Sequence, residues 1–308
     1  MGLNCAVLVK QVPDTKRITG KAMNDDGTVN RSALPAIFNP EDHYALEAAL
    51  EVRDRMGGTV TVICMGPPPA CQVLRESLFT GADRVVLITD RRAAASDTLA
   101  TSYILACAVR KLAQDLGRVD MVFCGRQAID GDTAQTGPQC AEKLGLPQVT
   151  YLEEIVELAE DHLVARRNVG NGYEVVRAPL PCLVTVTDTF REPRPFGAQG
   201  LMKFARARAR LEVEREVLAA NPNADEKTRA GEVERRAADL RRRGLLIEQW
   251  TLDDVKADLA WCGRDGSPTK VKRIQSVVLK GTGHQAFQNT DEDVSRLVHL
   301  LIEEHTIG

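Results

Sequence analysis

The sequence predicts an α/β fold, a parallel sheet with helices on its faces followed by an antiparallel flank. Over residues 1–150, short apolar runs alternate with stretches of helical period. Each helical stretch is bounded by capping residues and glycines. After residue 150 the helical period stops, and strand-like runs follow one another across polar or glycine-containing turns. Strands separated by helices form parallel sheets, because a parallel connection needs a long crossover.

The elements follow in order. "AVLV" (6–9) is a strand, followed by a long polar loop containing "NDDGTVN" (24–30). A helix runs from about Glu41 to Met56, with Ala45, Ala48, Ala49, Val52 and Met56 at helical spacing. "TVTVICM" (59–65) is a strand, "ACQVLRESLFTGA" (70–82) a helix ending near Gly81, and "RVVLI" (84–88) a strand. A long helix, 96–117, starts at Ser96 or Asp97 and ends at Gly117; the strand "VDMVFC" (119–124) follows. The next helix starts at Asp132 or Thr133 and runs to Gly145. "VTYLEEIVEL" (149–158), "HLVARRNV" (162–169), "YEVVRA" (173–178) and "CLVTVTDT" (182–189) form the antiparallel flank. Residues 190–207 are broken by proline and glycine. Residues 208–247 are dominated by charge and predict a solvated helical hairpin turning at "NPNAD" (221–225). A strand-like "SVVL" (276–279) and a helix over 291–304 close the chain. This gives an α/β domain over 1–204 and a second region, 205–308, made of the charged insertion and a C-terminal arm.

The 308 residues are 44% hydrophobic, 27% charged and only 4% aromatic, with a net charge of −3. That balance points away from nucleic acid, which needs a basic surface and stacking platforms. No apolar run approaches the roughly 20 residues of a membrane span, and no signal peptide is legible, so a cytoplasmic protein is expected. The eight cysteines have no CxxC spacing and most lie in apolar runs, as expected of buried, reduced thiols rather than metal ligands. The five histidines form no HExxH-type pair, and no nucleophile with its base is readable. Any redox or transfer chemistry is therefore expected from a bound cofactor rather than from a catalytic side chain.

Ligands of such sheets gather at the carboxyl ends of strands. There the chain carries "KQVPD" (10–14), "GPPP" (66–69) and "GRQAIDGDTAQT" (125–136). Neither GxGxxG nor GxxxxGK[ST] occurs. The third stretch is dense in hydrogen-bonding groups: Arg126, Gln127, Asp130, Gly131 and Asp132, then Thr133, Gln135 and Thr136 in the first helical turn. Free amides at a helix start attract phosphate, and Asp130 or Asp132 can accept from ribose hydroxyls. A capping box of Asp132 with Gln135 is the plainer reading, but it leaves Arg126, Gln127 and Asp130 unexplained. "SDTLATS" (96–102) has Thr98, Thr101 and Ser102 on its first turns, suggesting anion or ribityl contacts, although capping accounts for most of it. "NPED" (39–42) reads as an ordinary helix start, with an Asx-turn at Asn39, Pro40 in the first turn and Glu41 and Asp42 favourable to the dipole.

In order and wording, "VKQVPD" (9–14), "NPEDHYALEAAL" (39–50), "GADRVVLI" (81–88), "SDTLATS" and the 125–150 stretch resemble the β subunit of electron transfer flavoproteins. The resemblance covers roughly 1–205, and "GSPTKV" (266–271) is similar to the family's C-terminal part. It implies a Rossmann-like, adenine-nucleotide-α-hydrolase-like parallel sheet with an antiparallel flank and an extended C-terminal arm packing on an α subunit. The α subunit carries FAD and passes electrons to or from dehydrogenases. The resemblance further implies a nucleotide on the β subunit, at Leu8, Asn39, Pro40, Glu41, Asp42, Met65, Gly125, Arg126, Gln127, Ala128, Ile129, Asp130, Gly131, Asp132, Thr133, Ala134, Gln135 and Thr136. In the ordinary type it is a structural AMP, and near Met65 the family has a cysteine or small residue. "SDTLATS", "KQVPDT" and "GSPTKV" are most similar to the electron-bifurcating type, whose β subunit holds FAD and takes hydride from NADH. Asp97, Thr98 and Thr101 would then supply the additional contacts. That type passes electrons to ferredoxin or flavodoxin and, through the α subunit, to an acyl-CoA-dehydrogenase-like enzyme. The family's dehydrogenase contact aligns with 190–204, where Phe196, Leu201 and Met202 are the apolar candidates. A stress-type ATP-binding regulator with the same fold is disfavoured by the missing glycine-rich loop.

Overall fold

The computed structural model of the chain describes residues 2–14, 34–269 and 285–303. The run "NDDGTVN" and the strand-like "SVVL" lie outside the described residues. In order, the elements are β1 (Cys5–Val9), β2 (Gln11–Pro13), β3 (Ala36–Phe38), α1 (Pro40–Met56), β4 (Val60–Met65), α2 (Cys71–Thr80), β5 (Arg84–Ile88), α3 (Thr98–Leu116), β6 (Met121–Gly125), α4 (Thr136–Leu144) and β7 (Gln148–Leu158). There follow β8 (His162–Asn168), β9 (Tyr173–Pro179), β10 (Cys182–Val186), α5 (Ala198–Phe204), β11 (Arg208–Ala209), α6 (Arg210–Ala220), α7 (Glu226–Arg242), β12 (Leu246–Trp250), the single-turn α8 (Gly263–Gly266) and α9 (Asp291–Glu303).

Ten strands form one sheet in the order β11-β12-β5-β4-β1-β6-β10-β7-β8-β9. Every pairing from β11 to β7 is parallel. Within it β7–β8 and β8–β9 are antiparallel, and β2 and β3 form a separate antiparallel pair. Along the central strands successive side chains enter opposite cores, as the pleat requires. Cys5, Val7 and Val9 join α1 and α2 on one face, with Val62, Leu87 and Phe123. Ala6 and Leu8 join α3 and α4 on the other, with Ile63, Val86 and Val122. Burial on both faces is why these strands read as continuous apolar runs rather than alternating ones.

Three details of the sequence reading change. The antiparallel flank is smaller than predicted: β10 lies between β6 and β7 and is parallel to both. Its five residues are all buried, which marks an interior strand. At the opposite edge "LIEQW" (246–250) forms β12, pairing with β5. The charged segment before it is a helical hairpin, α6 and α7, turning over 221–225. It is not merely solvated, because Val213, Val217 and Val233 form a buried cluster of their own with Leu240 packed on it. The sheet thus contains strands from both sides of residue 204.

From β1 the chain moves to β4 and β5 on one side, then returns to β6, β10 and β7 on the other. The loops leaving β1 and β6 therefore diverge at a switch point, where open α/β sheets bind ligands.

Candidate functional site

The first turn of α1 holds the two loops of the switch point together. Asp42 is 5% exposed. Its carboxylate accepts from the Lys10 amide at 2.8 Å and the Gly125 amide at 3.1 Å, joining the ends of β1 and β6. Burial pushes the Asp42 carboxyl up to about 7, against the lowering effect of Asn39 and the two amides. Glu41 accepts from the Gln127 amide at 2.9 Å and from the Arg126 guanidinium at 2.6 Å. Asn39, fully buried, donates to the Gln127 carbonyl at 2.9 Å and accepts from the Ile129 amide at 3.1 Å. "NPED" is thus more than an ordinary helix start. Asn39 makes no side-chain cap; it spans some 90 residues to hold the β6 loop.

Gly125 can have no side chain, because a Cβ there would lie 2.6 Å from the Asp42 carboxylate and 2.8 Å from the Glu41 carbonyl carbon. Beyond it, the amides of Gly131 and Asp132 donate to the Ala128 carbonyl. Asp132 and Ala134 take left-handed φ values of 50° and 51°. Such a conformation costs a non-glycine residue on the order of 1 kcal/mol and persists where surroundings impose it, frequently at functional sites. Gln127 Nε2 donates to Asp132 at 3.0 Å. α4 begins only at Thr136, with Gln135 as an N-cap whose side chain makes no capping bond. The predicted cap at Asp132 or Thr133 is therefore early by three or two residues, the observed N-cap being Gln135, and no Asp132–Gln135 capping box forms. The left-handed turns at 132 and 134 are what delay the helix.

The start of α3 meets this loop, with the Thr98 hydroxyl donating to Gln135 Oε1 at 3.1 Å. Asp97 caps α3, its Oδ1 accepting from the Ala100 amide at 2.9 Å. Its Oδ2 accepts from the Thr269 amide at 2.9 Å, so the Asp97 carboxylate is occupied within the chain. Thr101 is half-buried one turn further along. Leu8 is buried in β1 and Met65 half-buried at the end of β4. Phe196, just before α5, and Leu201 and Met202, within α5, lie elsewhere, where α5 packs on α2. Phe196 meets the Phe79 ring edge-on at 5.6 Å and is 42% exposed, while Met202 is 85% exposed.

Some residues of this region went unread in the sequence. Lys10 Nζ bridges the crevice to both Asp130 oxygens, at 2.7 and 2.8 Å. Its place directly after β1 is the signal that would have found it. Tyr151 lies beneath the Arg126 guanidinium, 5.9 Å from its ring centroid, at a left-handed residue (φ 60°) where the β7–β10 register shifts. No local pattern marks that bulge. Among the described residues no three His, Cys, Asp or Glu side chains gather as a metal site, and no helix is long and apolar enough to cross a membrane. All eight cysteines are buried and unbridged.

Residues 26–239 match the family model described as "Electron transfer flavoprotein domain". The electron transfer flavoprotein subunit beta of Clostridium acetobutylicum is 39% identical over 305 residues, 99% of this chain and all of its own. Protein FixA of Bradyrhizobium diazoefficiens is 38% identical, covering 96% of this chain and 90% of its own. The acryloyl-CoA reductase electron transfer subunit gamma of Anaerotignum propionicum is 41% identical over 98% of both chains. The chain belongs to the electron transfer flavoprotein family and is similar, along nearly its whole length, to the family's β subunits.

Proposed function

We propose that this chain is the β subunit of a bifurcating electron transfer flavoprotein, holding FAD across the starts of α3 and α4. The observation that carries this reading is the Thr98–Gln135 contact at 3.1 Å, which joins two helix starts into one polar surface. Such a surface, 96–102 together with 125–136, is longer than an AMP would need. Thr98 and Thr101 are left over for a pyrophosphate and ribityl chain, and the amides opening α4 carry no side-chain cap. At Gly131 a Cβ would meet nothing within 4 Å, so the chain's own packing does not demand a glycine there. A glycine there leaves the backbone open to close approach by a ligand. Asn39, Glu41 and Asp42 act through the loops they hold, and no side chain is assigned as acid, base or nucleophile.

A bound flavin supplies the redox chemistry. On this reading NADH would be the electron donor, and the acceptors would be ferredoxin or flavodoxin and, by way of an α subunit carrying FAD, an acyl-CoA-dehydrogenase-like enzyme. The name of the Anaerotignum relative, a subunit serving a CoA-thioester reductase, supports that class of partner. The exposed apolar surface of Phe196, Leu201 and Met202 is assigned to it, and Phe196→Ala should slow transfer to the dehydrogenase while leaving NADH oxidation unchanged. The second reading is an ordinary carrier with AMP in the β site, passing electrons from dehydrogenases to a quinone reductase. Anaerobic addition of NADH to the purified αβ pair tests the choice. Bleaching of the flavin absorbance supports the proposal; a flavin that only a dehydrogenase can reduce refutes it.

A further inference from the structure

The start of α3 is held from two directions. On one side Thr98 bonds Gln135 and, through it, the 125–135 loop. On the other, the segment 263–269 is fastened to the two residues before Thr98. The Asp97 amide donates to Ser267 Oγ at 2.9 Å, and the Asp97 carboxylate accepts from the Thr269 amide at 2.9 Å. Ser96 Oγ accepts from the Gly263 amide at 3.0 Å, and Ser267, 3% exposed, donates to the Gly263 carbonyl at 2.7 Å. Gly263 has φ 64°, and a Cβ there would lie 2.1 Å from the Arg92 carbonyl oxygen, so the segment seats only with glycine at that position. One carboxylate, Asp97, thus serves the first turn of α3 with one oxygen and the C-terminal segment with the other.

We propose that Asp97 is a positioning residue that couples nucleotide occupancy of the β site to the seating of residues 263–269. Unseating the segment removes the partner of Asp97 Oδ2 and the acceptor of its amide. The first turn of α3 loosens, and the Thr98 hydroxyl loses its fixed place beside Gln135. A ligand that orders Thr98 and the loop stabilises the seated segment, and the seated segment stabilises the ligand by the same factor, since binding linkage is reciprocal. This inference rests on the reading that a nucleotide occupies the 125–135 loop, which Gln135 joins to the start of α3.

The test uses the intact αβ complex. Hydrogen exchange over 262–269 is followed with nucleotide bound, after it is stripped, and after FAD or AMP is restored. Ser267→Ala and Gly263→Ala dislodge the segment through different contacts, without altering any residue of the nucleotide site. Coupling predicts that stripping speeds exchange over 262–269, that restoring the nucleotide reverses it, and that both variants weaken nucleotide affinity. The expected change is about threefold to tenfold, the worth of a single hydrogen bond. Ser267→Thr, which keeps the hydroxyl, should restore it. Fast exchange over 262–269 with unchanged nucleotide affinity overturns the proposal. So does unchanged exchange on stripping the wild-type complex, a result that needs no variant to fold. Which nucleotide is extracted decides the proposed function and not this coupling, because AMP on the 125–135 loop would still act through Gln135.

Discussion

Two regions of this molecule are dense in charge and are built in opposite ways. Around the crevice, side chains find partners far along the chain: Asp42 with Gly125, 83 residues away, Glu41 with Gln127, 86 away, and Lys10 with Asp130, 120 away. Most of these partners are backbone amides, and the Glu41 and Asp42 carboxylates are buried. In the α6–α7 hairpin the partners are mostly neighbours on one helix: Arg235 and Arg236 with Glu232, Arg242 with Asp239, and Arg210 with Glu214. Arg210 also crosses to Glu234, and the hairpin's apolar cluster is confined to itself. Two cavities, of about 540 and 500 Å³, border the hairpin; the first is lined mainly by β12 with Arg210 and Arg241, the second largely by charged side chains such as Arg235, Arg236 and Asp239. Charge density alone therefore does not mark a site. Polar side chains spent on distant backbone do, because they fix loops that have no regular structure to fix them.

That contrast can be broken at graded points. Gly125→Ala should have the largest effect, since its Cβ would press on the Asp42 carboxylate and the backbone of α1. Destabilisation of about 3 kcal/mol, with loss of bound nucleotide, is expected in denaturant titrations. Glu41→Gln breaks the paired contact with Arg126 and weakens the bond from the Gln127 amide, costing about 1–3 kcal/mol by the same measurement. Asp42 gives a pH signature. Its folded-state carboxyl, at about 7, lies above its ordinary value of 3.8, so between those values the folded protein holds the extra proton. Its contribution is complete below about pH 4 and is lost as pH rises through 7. Unfolding free energy of the wild type should thus fall with pH over that window relative to Asp42→Asn, and a parallel pair of curves would show that Asp42 does not titrate there. Thr98→Val should leave folding near wild type and lower β-nucleotide retention severalfold; unchanged retention would reduce the α3 start to a cap. Glu232→Gln, in the hairpin, should leave the unfolding midpoint in place, because solvated pairs between helix neighbours contribute little.

Much of this was legible in the sequence. β1, β4, β5 and β6 are short apolar runs bounded by breakers, and α1, α2 and α3 keep helical spacing between recognisable ends. The 125–136 stretch stood out because its polar groups exceed what a connection needs. β12 did not, since "LIEQW" follows three arginines and a glycine and is made a strand only by the open edge of β5. Nor did the bracing role of Asn39, Glu41 and Asp42, whose types and order suit any helix start. The start of α4 was misplaced because Asp132 and Ala134 are left-handed, a conformation imposed by the loop's long-range anchors and not by either residue. Lys10 was marked by its place directly after β1, though its partner Asp130 lies 120 residues away, and Ser267 acquires meaning only when the C-terminal segment meets α3.

The claim at the centre is that the starts of α3 and α4 form one site long enough for a flavin dinucleotide. Counting flavin and extracted nucleotide per purified αβ pair tests it most directly. The account predicts two FAD per pair and no AMP; one FAD with one AMP in the extract would contradict it.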